Sequence, residues 1–331
     1  MILITQSWRG LVMTGLALLV WTSNAAIWQV CVVAFVITVG EILVDPSTFA
    51  LVPTLVDNDD LDRANGRISS VEILTNDFAG GPIGAVLFSF APWLPFVIDG
   101  CTYLGSLLPF GRLPRTTPAT TARAQSAQTS LRAEAAEGFH WLRQHSVLGP
   151  LTVAQVVYYF GFAASLSLLV VLVTDELDAS DAIFGPLLAV GAAGAFLGTL
   201  IGAPLAERIG PRLSLTGAVA LQGVTLGAAA VAPSLPVLAV LWFLNGIPAG
   251  AQRPVARSLQ QRLTPNDLLG RVNVTSRMFT RGVIVIGAIS AGTLATFSGV
   301  RASFALGGFA QLVAAAMMWS ALGKMTQTDG G

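Results

Sequence analysis

Uninterrupted apolar stretches, each long enough to cross a lipid bilayer, follow one another along the whole chain. A crossing helix needs about 20 residues. The runs predict helices at Ile2–Trp21, Ile27–Ala50, Ile68–Phe90, Leu94–Phe110, Val147–Val173, Ile183–Leu205, Leu213–Val231, Val237–Val255, Val274–Phe297 and Phe304–Leu322. The expected fold is all-α: a polytopic transmembrane bundle of about ten helices. The runs lack the alternation that a membrane barrel requires. Only 11% of the 331 residues are charged, against about 25% in a soluble domain. Lipid as the solvent for most of the surface accounts for that shortfall. A net charge of +0 gives no overall field toward nucleic acid, so the expected partners are the bilayer and small molecules.

The charges that remain are segregated. Arg63 and Arg67 follow the second helix, and Arg112, Arg115, Arg123, Arg132 and Arg143 follow the fourth. Arg208 and Arg212 follow the sixth, and Arg253, Arg257, Arg262 and Arg271 cluster around the link after the eighth. The intervening loops Thr22–Ala26 and Pro233–Pro236 carry no charge, and Thr174–Asp181 carries acids only. Arg301 is the exception. Cationic loops stay cytoplasmic, which places both termini in the cytoplasm and the protein in the cell membrane.

One long polar stretch divides the chain into an incomplete first bundle (1–111), a cytoplasmic linker (112–146) and a second bundle of six helices (147–331). Within the linker, Leu131–Gln144 has Leu131, Ala135, Phe139 and Leu142 on one face, the pattern of an amphipathic helix on the membrane surface. Cys31 and Cys101 lie in apolar runs and are expected to be small buried hydrophobes. His140 and His145 are too few ligands for a metal site. No phosphate-binding loop or Ser-His-Asp set is present. The chain is therefore not expected to be an enzyme or to hold a cofactor.

The halves are related. Asp59-x-Leu61-x-Arg63-x-Asn65 recurs 208 residues later as Asp267-x-Leu269-x-Arg271-x-Asn273. Pro46 and Pro254 match at the same offset, as do Gly84 and Gly292. Two pseudo-repeats are common in transporters. The loop Ala203–Arg212 has no partner at that offset, so the repeat suggests that two helices are missing from the front of a six-plus-six parent.

Three motifs carry a family resemblance. Gly40-Glu41-Ile42-Leu43-Val44-Asp45-Pro46 is followed by Leu51-Val52-Pro53 and Leu61-Asp62-Arg63-Ala64-Asn65. Gly81-Pro82-Ile83-Gly84-Ala85 is the second motif, and Leu205-Ala206-Glu207-Arg208-Ile209-Gly210-Pro211-Arg212 is the third. Together they resemble the major facilitator superfamily, and within it the bacterial drug and siderophore exporters of the drug:proton antiporter type. The third motif departs from the family pattern at Ala203 and Glu207, where Gly and Asp are usual. The resemblance implies a chain that begins at the third family helix. It also implies proton-coupled efflux of hydrophobic or amphipathic molecules, with Gly81, Pro82 and Gly84 in an antiporter motif. Glu207, Arg208, Gly210 and Arg212 would form the cytoplasmic loop motif, with Glu207 facing the positive end of the helix near Asn65. The alternative is a truncated remnant that inserts but transports nothing.

Acids inside membrane helices are costly, about 2.5–3.5 kcal/mol on insertion scales, and so mark function. Glu41, Asp45 and Asp99 are the transport candidates, with Glu72 and Asp77 behind them. Asp45 and Arg253 occupy equivalent places in the two repeats with opposite charge, which suggests a gate pair. Reporter fusions after Arg112 and after Lys324 are expected to report cytoplasm, and a fusion within Asp175–Asp181 the outside. A linker found outside would overturn the charge argument.

Overall fold

The structure, a computed structural model, describes residues 2–22, 26–75, 80–112, 131–180 and 183–325. Asp77, Asp181 and linker residues 113–130 lie outside the described residues. The side chains of Cys31, Asp45, Gly81 and Pro82 do too. The helices in chain order are α1 (Ile2–Trp21), α2 (Ile27–Leu55), α3 (Leu61–Glu72), α4 (Gly80–Phe90), α5 (Leu94–Gly105), α6 (Leu107–Arg112) and α7 (Leu131–Gln144). They continue as α8 (Leu148–Leu166), α9 (Leu169–Val171), α10 (Phe184–Ile209), α11 (Pro211–Ala229), α12 (Leu235–Leu263), α13 (Leu269–Ser298) and α14 (Val300–Gly323). A π-turn, Leu172–Glu176, extends α9.

Among the described residues helices occupy every expected segment, with Ile68–Phe90, Leu94–Phe110 and Val147–Val173 each divided between two helices. Among the described residues, six stretches are long and apolar enough to cross a bilayer: Leu3–Trp21, Leu148–Glu176, Phe184–Ile209, Leu235–Leu263, Leu269–Ser298 and Val300–Gly323. The internal repeat appears in the element boundaries. α2 and α12 each contain 29 residues and begin and end 208 positions apart. α3 and α13 begin at Leu61 and Leu269, and α4 and α13 end at Phe90 and Ser298, at the same offset.

The helices form two compact units. One comprises Met1–Val52 with Ala79–Leu131; the other comprises Pro53–Phe78 with Arg132–Gly331. In the first unit α1 packs on α5 and α6, and α4 packs on α5. In the second, α12 packs against α10 and α11, α11 against α14, and α8 against both α13 and α14. Two apolar clusters fill its two ends. Leu151, Leu215, Leu259, Val272 and Met318 belong to one, and Leu172, Leu187, Leu238 and Phe304 to the other.

Hydrocarbon supplies no hydrophobic drive between helices, so association relies on close packing. α10 and α12 meet through small residues spaced one turn apart: Gly194, Gly198 and Gly202 against Gly246 and Gly250. A Cβ at Gly198 would run into the carbonyl of Ile247, and one at Gly250 into the carbonyl of Ala195. Gly210 and Gly299 serve a different purpose. At φ 81° and 80° they turn the chain between α10 and α11 and between α13 and α14, a conformation that side chains with a Cβ disfavour.

The exception among the arginines, Arg301, is half-buried and structurally committed. Arg301 Nε donates to Glu176 at 3.0 Å, and its Nη1 donates to the carbonyls of Ala230 at 3.1 Å and Ala232 at 3.0 Å. It thereby satisfies carbonyls at the C-cap of α11 and in the turn that follows it. Cys101 corrects an expectation: it is exposed on α5. Asp99 and Tyr103, two residues to either side, take the inward face, and a helix turns about 200° over two residues.

The amphipathic α7 lies against α13. Phe139 and Phe279 have ring centroids 5.7 Å apart, and Arg271 pairs with Glu137. His145 then links α7 to α8. Its Nδ1 accepts the backbone N–H groups of Val147 at 3.2 Å and Leu148 at 3.1 Å, and burial holds its pKa below the ordinary 6.5.

Two outcomes are expected in thermal unfolding of the detergent-solubilised protein. Gly198→Val, which forces α10 off α12, should destabilise by at least the about 1–3 kcal/mol typical of overpacking. Gly217→Ala, where a Cβ meets nothing within 4 Å, should be neutral or stabilise by up to about 1 kcal/mol. The His145 cap needs an unprotonated Nδ1. With the folded pKa lowered, its contribution is present above about pH 6.5 and is lost as pH falls through the folded value. The melting temperature should therefore drop between pH 7.5 and 5.5 by more in wild type than in His145→Asn, whose amide can cap at either pH. Equal slopes would exclude the cap.

Candidate functional sites

The second unit contains a helix from the first repeat. α3 is polar for its length, and its buried residues are Leu61, Asp62, Asn65, Gly66 and Ser69, one stripe at helical spacing. That stripe lies in the groove between α10 and α12. Asn65 is fully buried, and its Nδ2 donates to Ser258 Oγ at 2.9 Å and to Gln261 Oε1 at 2.6 Å on α12. Ser70 Oγ and Thr199 Oγ1 on α10 share a hydrogen bond of 2.5 Å. Two ion pairs flank the dock: Arg262 Nη2 to Asp62 Oδ2 at 3.0 Å and Arg257 Nη1 to Glu72 Oε1 at 3.2 Å. The acids are all on α3 and the arginines all on α12.

Magnitudes rank these contacts. Exposed ion pairs contribute about 0–1 kcal/mol, and Glu72 is half exposed. Removing Asn65 would take one donor each from buried Ser258 and Gln261, at about 1–3 kcal/mol. The amide is therefore the centre of the latch and the charges orient it. Neither Ser258 nor Gln261 stands out in the sequence, although their spacing of three on one helix is the detectable signal.

The first unit holds a charged cluster. Arg9, 7% exposed within an apolar helix, donates from Nη1 to Gln6 Oε1 at 3.2 Å and from Nη2 to the Tyr103 hydroxyl at 2.9 Å. Its guanidinium carbon stands 4.3 Å from the centroid of the Tyr103 ring. Gln6 in turn donates to Ser106 Oγ at 3.2 Å. A Cβ at Gly40 would lie 2.7 Å from Arg9 Cδ, so the absent side chain admits the arginine against α2. Asp99 is within electrostatic reach of Arg9, and both acids, Asp99 and Glu41, act on Tyr103. Two expected transport residues thus fall near an arginine that the sequence reading did not single out: Asp99 is within electrostatic reach of Arg9, and Glu41 of its partner Tyr103. The available signal was a lone cation in an apolar run.

The remaining expected residues are dispersed. Glu207 and Arg208 are exposed near the end of α10, and Glu207 makes no hydrogen bond or ion pair among the described residues. Gly210 provides the turn into α11, and Arg212 stacks on Trp319 at 3.8 Å and donates to its carbonyl at 3.2 Å. Arg253 is exposed on α12, within electrostatic reach of Tyr158. A Cβ at Gly84 meets nothing within 4 Å among the described residues. Mid-unit, Tyr158 donates to Gln222 Oε1 at 2.8 Å, and Asn245 Nδ2 donates to Thr225 Oγ1 at 2.8 Å, a polar seam through three helices that hydropathy alone does not reveal.

Residues 1–330 match a family model described as transmembrane secretion effector. The chain is 24% identical over 312 residues to the uncharacterised MFS-type transporter YvqJ of Bacillus subtilis, spanning 92% of this chain and 72% of that protein. It is 32% identical over 157 residues to the 4-hydroxybenzoate transporter PcaK of Pseudomonas aeruginosa, spanning 47% of this chain and 35% of that one. Among solved structures, a bacterial homologue of the iron transporter ferroportin, in its outward-facing state, matches with a TM-score of 0.72. The match covers 96% of this chain and 82% of that one at 18% identity, which is a likeness of fold. An all-helical repeat, polar residues at chosen depths and a match over nearly every residue lead to one assignment: the chain belongs to the transmembrane secretion effector family of major facilitator transporters.

Proposed function

We propose that the chain exports hydrophobic or amphipathic small molecules across the cell membrane, coupled to proton entry, with both termini cytoplasmic. The observation that supports this reading is the α3 latch. A helix of the first repeat is held on α12 of the second by a buried amide and two ion pairs, and on α10 by the Ser70–Thr199 hydrogen bond. Hydrogen bonds of this kind form and break as a set, as a two-state transporter needs. Each 1.4 kcal/mol shifts a two-state equilibrium tenfold, so one amide of this strength can reset it. Protons enter through the acids Asp99, within reach of Arg9, and Glu41, within reach of Tyr103, which couples their charge to the helix packing.

The test uses proteoliposomes with an imposed pH gradient and ethidium as the transported dye. Wild type should move ethidium against its gradient, and collapse of the pH gradient should stop it. Asn65→Ala should lower that rate several-fold. It should also speed maleimide labelling of a cysteine placed at buried Ser69, in a background with Cys31 and Cys101 replaced by serine. No gradient-dependent transport by wild type would refute export. Transport with unchanged labelling in Asn65→Ala would remove the latch from the mechanism.

A further inference from the structure

Arg9 makes no ion pair among the described residues, and its Nε is buried without a hydrogen-bond partner. A buried guanidinium in this condition is an unfinished anion site. Beside it, within the same unit, an apolar hollow of about 290 Å³ is lined by Met13 and Leu16 on α1, by Val30, Val33, Ala34 and Ile37 on α2, and by Phe96 on α5.

The three helices place the polar cluster at the same end of this hollow. Arg9 lies one turn before Met13, Glu41 one turn after Ile37, and Asp99 one turn after Phe96. α1 runs antiparallel to α2 and α5 by chain order, so all three steps go in one direction. The second repeat lacks every charge. At the offset of 208, Arg9 corresponds to Gly217, Glu41 to Ala249 and Asp99 to Gly307. The lining differs there too: Ala34 corresponds to Trp242, which is 8% exposed, and Val30 to fully buried Leu238. The second repeat thus keeps neither the charges nor the small lining residue Ala34.

We propose that this site binds an amphipathic organic anion, with its carboxylate on Arg9 and its apolar body against Met13, Leu16, Ile37 and Phe96. The guanidinium offers a planar donor edge that matches a carboxylate. Tyr103 and Gln6 hold it in place, and the hollow accepts about two fused rings. Asp99 opposes the incoming charge and so keeps the site exchangeable. The inference rests on the export reading for its physiological meaning and adds amphipathic carboxylates to the substrates. Binding is measured at equilibrium without transport, so it can fail while export stands, or stand while export fails.

The probe is naphthalene-2-carboxylate, compared with 2-naphthylmethanol and 2-naphthylmethylammonium. Each is equilibrium-dialysed against lipid nanodiscs carrying the full chain, with empty nanodiscs subtracted. The carboxylate should bind saturably and at least tenfold more tightly than the alcohol or the ammonium. Arg9→Met should abolish that preference. Asp99→Asn should tighten carboxylate binding several-fold. Met13→Trp, which fills the hollow, should weaken carboxylate and alcohol alike. Should Arg9→Met fail to fold, the other two variants decide the matter. Absence of saturable carboxylate binding, equal or cation-favoured binding in wild type, or a preference that survives Arg9→Met would each overturn the proposal.

Discussion

The approach of α10 to α12 is the contact on which the second unit depends. Each side chain removed at Gly194, Gly198, Gly246 and Gly250 lets one backbone rest against the other's carbonyls. In lipid this replaces the drive that water supplies to soluble bundles. The latch inherits its geometry from that approach. Thr199 follows Gly198 directly, and Ser258 lies two turns beyond Gly250, so one narrow helix face on α3 reaches both. A single added methyl group between α10 and α12 would widen the groove and separate the two halves of the dock.

The repeat shows which parts of this design are shared. Leu61 and Leu269 open equivalent helices and are both buried, as are Asn65 and Asn273. Their surroundings have diverged. The side-chain carbonyl oxygens of both asparagines are buried without a partner, but Asn65 Nδ2 donates to Ser258 and Gln261 on α12. A common frame with unequal polar contents is what two coupled but distinct tasks require.

Much of the architecture was legible because lipid forces long apolar runs, and hydropathy registers them directly. The ends were less so, for a definite reason. α12 runs to Leu263 and α3 starts at Leu61, beyond the apolar limits at Val255 and Ile68. The extra turns are polar and are buried against each other, so no hydropathy window marks them. The latch was invisible on the same ground: Asn65 and its acceptors are 193 and 196 residues apart. Of the charged cluster, the acids Glu41 and Asp99 were recognisable, since a carboxylate in an apolar run is costly. Arg9 belongs to the same class of anomaly, but its hydroxyl partner lies 94 residues away. Cys101 was misjudged because an apolar run does not distinguish the lipid face of a helix from its protein face.

Arg301 has a consequence for how the chain is made. Within the second unit it stands at the opposite end of the helices from the arginines of residues 208–212 and 253–271, at the turn where α13 gives way to α14. Its counter-charge, Glu176, precedes it by 125 residues, and the carbonyls of Ala230 and Ala232 also come earlier in the chain. When Arg301 leaves the ribosome, its acceptors have therefore already been synthesised. Vectorial synthesis supplies the order, and the last hairpin closes onto a receptor assembled by its predecessors.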